Sequence, residues 1–174
     1  MKVQPGVEAG AEISECGRYR YALWRDWDWQ GYANRVAFVG LNPSTADADQ
    51  DDRTIRKCMK FARKWGYGGI LMLNAYAFRA TKPADMFAAD DPIGPANDEA
   101  LSYRANQAGL VIACWGAHCD PEREARVYEL LSRRASRVEC LSVTKAGRPG
   151  HPLYIRGDTK PVPFVPRALE GEKR

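Results

Sequence analysis

Four short apolar runs alternate with amphipathic segments, and this alternation leaves few folds open to the chain. The runs cover residues 36–41, 70–73, 110–114 and 138–143. Each is nearly continuous, as is typical of strands covered on both faces. Segments with helical spacing separate them, roughly over residues 55–65, 97–107 and 120–132. This order predicts an α/β fold: a three-layer α/β/α sandwich with a four-stranded, mainly parallel sheet.

The two ends of the chain differ from this core. Residues 1–17 are mostly small and polar, which predicts a flexible N-terminal arm, and residues 18–25 alternate like an edge strand that extends the sheet. A length of 174 residues fits one domain. We therefore expect a single α/β domain over residues 18–166, with a C-terminal tail over residues 167–174.

Composition excludes several classes of protein. No apolar run approaches the roughly 18 residues of a membrane span, and the N-terminus lacks the apolar core of a signal peptide. The five cysteines form no CxxC pair, which argues against a disulfide framework or a zinc site. We expect a cytoplasmic protein that does not bind membranes and needs neither a metal nor a cofactor.

Polar residues follow the predicted strands at the points where the strands end. Asn42 and Ser44 follow the first strand, Asn74 ends the second, and His151 lies beyond the fourth. The carboxyl ends of parallel strands meet at one edge of a sheet, where ligands bind. Carboxamide and imidazole groups gathered there suit planar, hydrogen-bonding ligands such as nucleobases.

The order of these motifs resembles the uracil-DNA glycosylase superfamily. Residues 40–44 are similar to its first motif, in which the mismatch-specific branch carries Asn-Pro. Residues 70–74 resemble the strand whose last Asn contacts the base, residues 111–117 the third strand, and residues 150–153 the His-Pro motif. The match spans residues 36–155. Leu153 departs from the usual Ser, no clear counterpart of the stacking Phe is present, and the four cysteines of iron–sulfur members are absent.

The resemblance implies a uracil-DNA glycosylase-like fold and hydrolysis of an N-glycosidic bond in DNA or a nucleotide. Asn42 would position the attacking water, and His151 would donate a hydrogen bond to the departing base. The base would be extruded and bound by Asn74. The further base-binding residues would be Ser44, Tyr76 and Phe78. The nucleic-acid-binding residues would be Arg53, Arg56, Arg79 and Arg148, with Leu153 and Tyr154 as a wedge in the vacated stack.

A second resemblance brings no assigned reaction. Residues 42–46, 51–54 and 151–153 look like the hallmarks of a bacterial and phage family defined only as a domain of unknown function, family 1643. A second interpretation of the chain is accordingly a non-catalytic nucleic-acid or nucleotide binding protein. The net charge of +4 permits a polyanionic partner without requiring one.

The acidic segment over residues 47–52 supports a third interpretation. Its carboxylates are Asp47, Asp49, Asp51 and Asp52. They do not form an EF-hand, because Asp52 stands where the loop needs Gly and Cys58 where it needs Glu. They could hold Mg²⁺ in a metal-assisted hydrolase, or cap the helix that is predicted to begin near Thr54. Capping is the preferred interpretation.

Overall fold

A computed structural model describes residues 1–133 and 137–170 of the protein. The sheet has seven strands: β1 Glu8–Ile13, β2 Arg20–Asp26, β3 Arg35–Gly40, β4 Gly69–Asn74, β5 Leu110–Ala113, β6 Val138–Cys140 and β7 Val162–Pro163. Their order across the sheet is β1-β2-β4-β3-β5-β6-β7. The four strands predicted from the apolar runs are confirmed as β3, β4, β5 and β6, which are adjacent and parallel.

The helices are α1 Arg53–Lys64, α2 Pro83–Phe87, α3 Asn97–Ala105, α4 Pro121–Ser132 and α5 Arg167–Glu170. Short 3-10 turns occupy Tyr32–Asn34 and Pro152–Tyr154. The three predicted amphipathic segments correspond to α1, α3 and α4. Within residues 1–133 and 137–170, no helix is both long and apolar enough to cross a membrane.

Helices cover both faces of the parallel strands. Val39 faces a core that contains Leu101 of α3 and Val127 of α4. Phe38, its neighbour on β3, faces the opposite core with Phe61 of α1. Successive side chains of a strand point to opposite faces, so a continuous apolar run serves both cores. The three layers therefore follow from the same pattern that predicted the strands.

The N-terminal part of the chain differs from the prediction. Residues 8–13 do not belong to an arm outside the domain: they form β1, which pairs antiparallel with β2. As a consequence β2 is not an edge strand but lies between β1 and β4. β1 was not predicted because its residues are mostly small and show no alternation of apolar and polar side chains. Gly10 is required there, because a Cβ at this position would lie 2.1 Å from the ring of Trp24.

The other end of the sheet carries an extension that the four-strand prediction also lacked. β7 pairs antiparallel with β6. The predicted tail over residues 167–174 begins with α5, where the Arg167 guanidinium donates to the carbonyl oxygen of Lys145 at 3.3 Å. Residues 171–174 lie outside the described part of the chain.

Candidate functional site

A cleft of about 930 Å³ lies at the carboxyl ends of β3, β4 and β5. The loop that follows β6 and the N-terminus of α1 complete its walls. Its polar lining includes Arg20, Asn42, Asp52, Asn74, His118 and His151. The cleft therefore lies at the edge of the sheet where the sequence analysis expects a ligand. Asn42, Asn74 and His151 all line it.

The carboxamide of Asn74 lies on the floor of the cleft. Asn74 ends β4, is 3% exposed and pairs with Gly40 of β3. A Cβ at position 40 would lie 3.0 Å from Asn74 Nδ2, so glycine leaves room for the carboxamide. Oδ1 of Asn74 accepts a hydrogen bond from the Arg20 guanidinium at 3.3 Å. This contact assigns Nδ2 as the end that can donate to a ligand.

Two side chains from the helices fix the backbone at this strand end. The Asn97 carboxamide is fully buried and donates to the carbonyl oxygens of Asn74 and Ala75, both at 3.1 Å. Arg123 of α4 donates from Nε to the same Ala75 oxygen at 2.7 Å. These bonds satisfy the two carbonyl oxygens inside the protein. The position of Asn74 therefore depends on residues of α3 and α4.

Asn42 is oriented by the loop that follows β3. Its Nδ2 donates to the carbonyl oxygens of Ala80, at 2.8 Å, and of Pro43, at 3.0 Å. No described residue donates to its Oδ1. Since a carboxamide donates from nitrogen and accepts at oxygen, Oδ1 is the end of Asn42 that remains for a water or a ligand.

His151 enters the cleft from the loop after β6. The amide N–H of Gly116 donates to the carbonyl oxygen of Pro149 at 3.0 Å, which fastens this loop to the chain that leaves β5. Nδ1 of His151 accepts from the amide of Leu153 at 3.4 Å. Burial lowers the pKa of His151 below its usual 6.5, and the nearby Asp52 carboxylate opposes the shift. A neutral ring that accepts at Nδ1 carries its proton on Nε2.

The acidic segment caps a helix, as preferred from the sequence. Asp52 accepts a hydrogen bond from the amide of Ile55 at 2.8 Å and is the N-cap of α1. Asp47 Oδ1 accepts the amides of Asp49 and Gln50 in a local turn. Asp51 forms a buried ion pair with Arg25 at 2.9 Å. Across residues 1–133 and 137–170, no three His, Cys, Asp or Glu side chains are grouped so as to hold a metal ion.

Arg20 belongs to the cleft although the sequence did not single it out. It lies at the start of β2, is 3% exposed and lines the cleft floor beside Asn74. Its guanidinium also donates to the carbonyl oxygen of Ala46 at 2.7 Å, while Nε has no acceptor among the described residues. Burial lowers the pKa of Arg20 to about 10. The alternating pattern of residues 18–25 gave no sign of this position, because β2 was expected at the sheet edge.

The predicted base-binding aromatics do not reach the cleft. Tyr76 is 4% exposed, packs edge-on against Phe87 and accepts the amide N–H of Asp120 at 3.3 Å. Phe78 packs against Tyr19 at a ring-centroid distance of 5.9 Å. Tyr76 is therefore a core residue, and Phe78 is partly buried against the same core. Ser44, the third predicted base-binding residue, does line the cleft.

The predicted nucleic-acid-binding residues divide into two groups. Arg53, Leu153 and Tyr154 line the cleft, and Tyr154 is 87% exposed. The structure holds the other three by contacts within the protein. Arg56 lies 3.6 Å from Asp51, Arg79 donates to the carbonyl oxygen of Gly17, and Arg148 pairs with Glu124 of α4 at 2.5 Å.

Comparison with known proteins identifies a family whose description assigns no function. No curated protein and no solved structure matches the chain. A family model described as a protein of unknown function, DUF1643, matches residues 20–153. This range includes Arg20, Asn42, Asn74 and His151. Since the match covers more than half of the chain, the protein belongs to the DUF1643 family.

Proposed function

We propose that the protein recognises a nucleobase and hydrolyses an N-glycosidic bond in DNA or in a nucleotide. The observation that carries the proposal is the meeting of Asn42, Asn74 and His151 in one cleft, although they come from three separate loops and strand ends. Each presents one defined hydrogen-bonding atom: an acceptor on Asn42 and donors on Asn74 and His151. The resemblance of the motif order in residues 36–155 to that of the uracil-DNA glycosylases also supports this proposal.

The base would lie on the cleft floor. Asn74 Nδ2 donates to an acceptor on the base edge, and His151 Nε2 donates to an oxygen of the departing base. Because the pKa of His151 is lowered, the ring is neutral at neutral pH. It stabilises developing negative charge through its hydrogen bond without transferring a proton. The C1′–N bond breaks with its electron pair going to the base.

The attacking water would be held by Asn42. Oδ1 of Asn42 accepts one hydrogen bond of the water, whose oxygen then bonds to C1′ of the sugar. Asn42 cannot remove the proton that the water loses. Asp52 lines the same cleft, and its capping bond to Ile55 uses only one of its two carboxylate oxygens. We assign Asp52 as the acceptor of this proton.

Abasic-site formation tests the proposal. Duplexes that contain uracil, hydroxymethyluracil or a mismatched base are incubated with the protein and then treated with alkali, and free nucleosides and nucleotides are followed by chromatography. Asn42→Ala and His151→Ala should each reduce turnover at least about tenfold, equivalent to about 1.4 kcal/mol of activation free energy. Asn106→Ala, an exposed carboxamide at the end of α3, is the matched control and should leave turnover unchanged.

The outcomes separate the interpretations. If the wild-type protein cleaves no duplex, nucleoside or nucleotide, the glycosidic hydrolysis is refuted. Duplex binding that weakens steeply with salt, without cleavage, would identify a non-catalytic binding protein instead. Turnover that is unchanged in His151→Ala would remove the role assigned to that residue.

The rim of the cleft provides a test of DNA against nucleotide. Leu153 and Tyr154 are 38% and 87% exposed beside His151, and such side chains can fill the gap that an extruded base leaves in a duplex. If DNA is the substrate, Tyr154→Ser should weaken duplex binding but not nucleotide binding. Tyr103→Ser changes a tyrosine on α3 that is 62% exposed and serves as the control.

A further inference from the structure

The buried arginines of the protein differ in whether a carboxylate pairs with them. Among the described residues these are Arg20, Arg25, Arg35 and Arg123. Three of them pair with a carboxylate, in the ion pairs Arg25–Asp51, Arg35–Asp26 and Arg123–Asp98. Arg20 has no carboxylate oxygen of a described residue within 4.0 Å of its nitrogens. It is also the member of this group that lines the cleft.

An unpaired buried guanidinium is costly. Desolvation of an ion inside a protein carries a penalty of several kcal/mol unless an opposite charge compensates it. Asp52 and Asp47 lie near enough to compensate part of the charge on Arg20, while Arg79 and Arg25 repel it. Two neutral acceptors, the Ala46 carbonyl and Asn74 Oδ1, take part of its donor capacity. Its Nε has no acceptor in the part of the chain that the structure describes.

We propose that Arg20 forms an oxyanion subsite on the floor of the cleft, so that the ligand of this cleft carries a negative charge beside Asn74. A guanidinium binds planar carboxylates and phosphates through parallel N–H donors. The unpaired Nε belongs to such a set of donors. The inference concerns the charge of the ligand and holds whether or not a glycosidic bond is broken.

The position of Arg20 limits what can reach it. Arg20 and Asn74 are each 3% exposed, whereas Arg53 and Tyr154 lie at the exposed rim. A group that contacts the floor is therefore small or flat. The chemistry recognised is an oxyanion, supplied either as a carboxylate on a planar ring or as a terminal phosphate.

A matched pair of probes tests the subsite by calorimetry. Orotate has the ring of uracil and an added carboxylate. Wild-type protein should bind orotate at least about tenfold more tightly than uracil, and Arg20→Met should abolish the preference. Arg20→Gln keeps polar character if the Met variant is unstable, and it should also abolish the preference. Arg104→Met, which removes a guanidinium on α3 paired with Glu12, should leave it unchanged.

Inorganic phosphate forms the second arm and distinguishes the source of the charge. Arg20-dependent binding of phosphate, without preference for orotate, supports the subsite and assigns it to a phosphate. Equal affinity for orotate and uracil, together with phosphate binding that Arg20 substitutions do not reduce, overturns the proposal. Absence of binding for all three probes also overturns it. Because no arm measures bond cleavage, failure of the subsite and failure of the proposed hydrolysis are distinguishable.

Discussion

The buried pair Arg25–Asp51 should be essential for stability, in contrast to Arg20. Both side chains are fully buried, and Arg25 Nε lies 2.9 Å from Asp51 Oδ1. The Arg25 guanidinium also donates to the carbonyl oxygens of Trp24 at 2.8 Å and Asp47 at 2.6 Å. These bonds attach the acidic segment to β2. The substitution Arg25→Met removes them all and leaves the buried Asp51 carboxylate with only the partly exposed Arg56, 3.6 Å away, as an ion-pair partner.

The expected loss of stability is large because, once Arg25 is removed, the more distant and partly exposed Arg56 compensates little of the desolvation cost of the buried Asp51 carboxylate. For a buried pair this loss is about 3–5 kcal/mol. With a urea dependence of about 2 kcal/mol per molar, the unfolding midpoint of Arg25→Met should fall by about 2 M. In the double variant Arg25→Met/Asp51→Leu neither charge remains, and most of the loss should be recovered.

Equilibrium unfolding in urea, followed by tryptophan fluorescence, measures these differences. Arg20→Met is the matched control: it leaves no carboxylate of a described residue without an ion-pair partner, so its free energy of unfolding should stay within about 1 kcal/mol of the wild-type value or rise. A midpoint for Arg25→Met equal to that of wild type would refute the reasoning. A loss in Arg20→Met as large as that in Arg25→Met would show that Arg20 is compensated within the protein.

Three further predictions concern the residues around the cleft. Gly40→Ala should weaken uracil binding several-fold by displacing Asn74 Nδ2, which would lie 3.0 Å from the added Cβ; unaltered affinity would contradict this role of the glycine. Asn97→Ala removes the side-chain donor of the Asn74 carbonyl, while the Ala75 carbonyl keeps its bond from Arg123, and should lower the free energy of unfolding in urea by about 1–3 kcal/mol, against no change in Asn106→Ala. The lowered pKa of His151 means that the unfolded chain binds its proton more readily than the native protein. The stability contributed by neutral His151 should therefore be present above pH 6.5 and lost as the pH falls below it. In His151→Gln the free energy of unfolding should decline less between about pH 7.5 and about pH 5 than in the wild-type protein. Equal declines in both proteins would contradict the lowered pKa.

Local patterns were sufficient for the central architecture. The apolar runs at residues 36–41, 70–73, 110–114 and 138–143 predicted β3 to β6, because a strand covered on both faces needs nothing but apolar residues. Asp52 was expected to cap a helix and does so. By contrast β1 was not predicted, since Gly10 and its small neighbours provide no alternation, and the need for glycine at position 10 comes from the ring of Trp24 on another strand.

Some residues of the candidate site could likewise be predicted from the sequence, and others only from the tertiary structure. The sequence by itself determined that Asn42, Asn74 and His151 follow strands, and parallel topology then gathers strand ends at one edge. Only the tertiary structure decided which charged residues lie at the cleft. Arg148 pairs with Glu124 and Arg56 lies beside Asp51, whereas Arg20 is buried on the cleft floor with no carboxylate of a described residue within 4.0 Å. The physical reason is that hydrophobic periodicity records burial along one segment, while the partner of a charge is set by contacts between segments that are far apart in the chain.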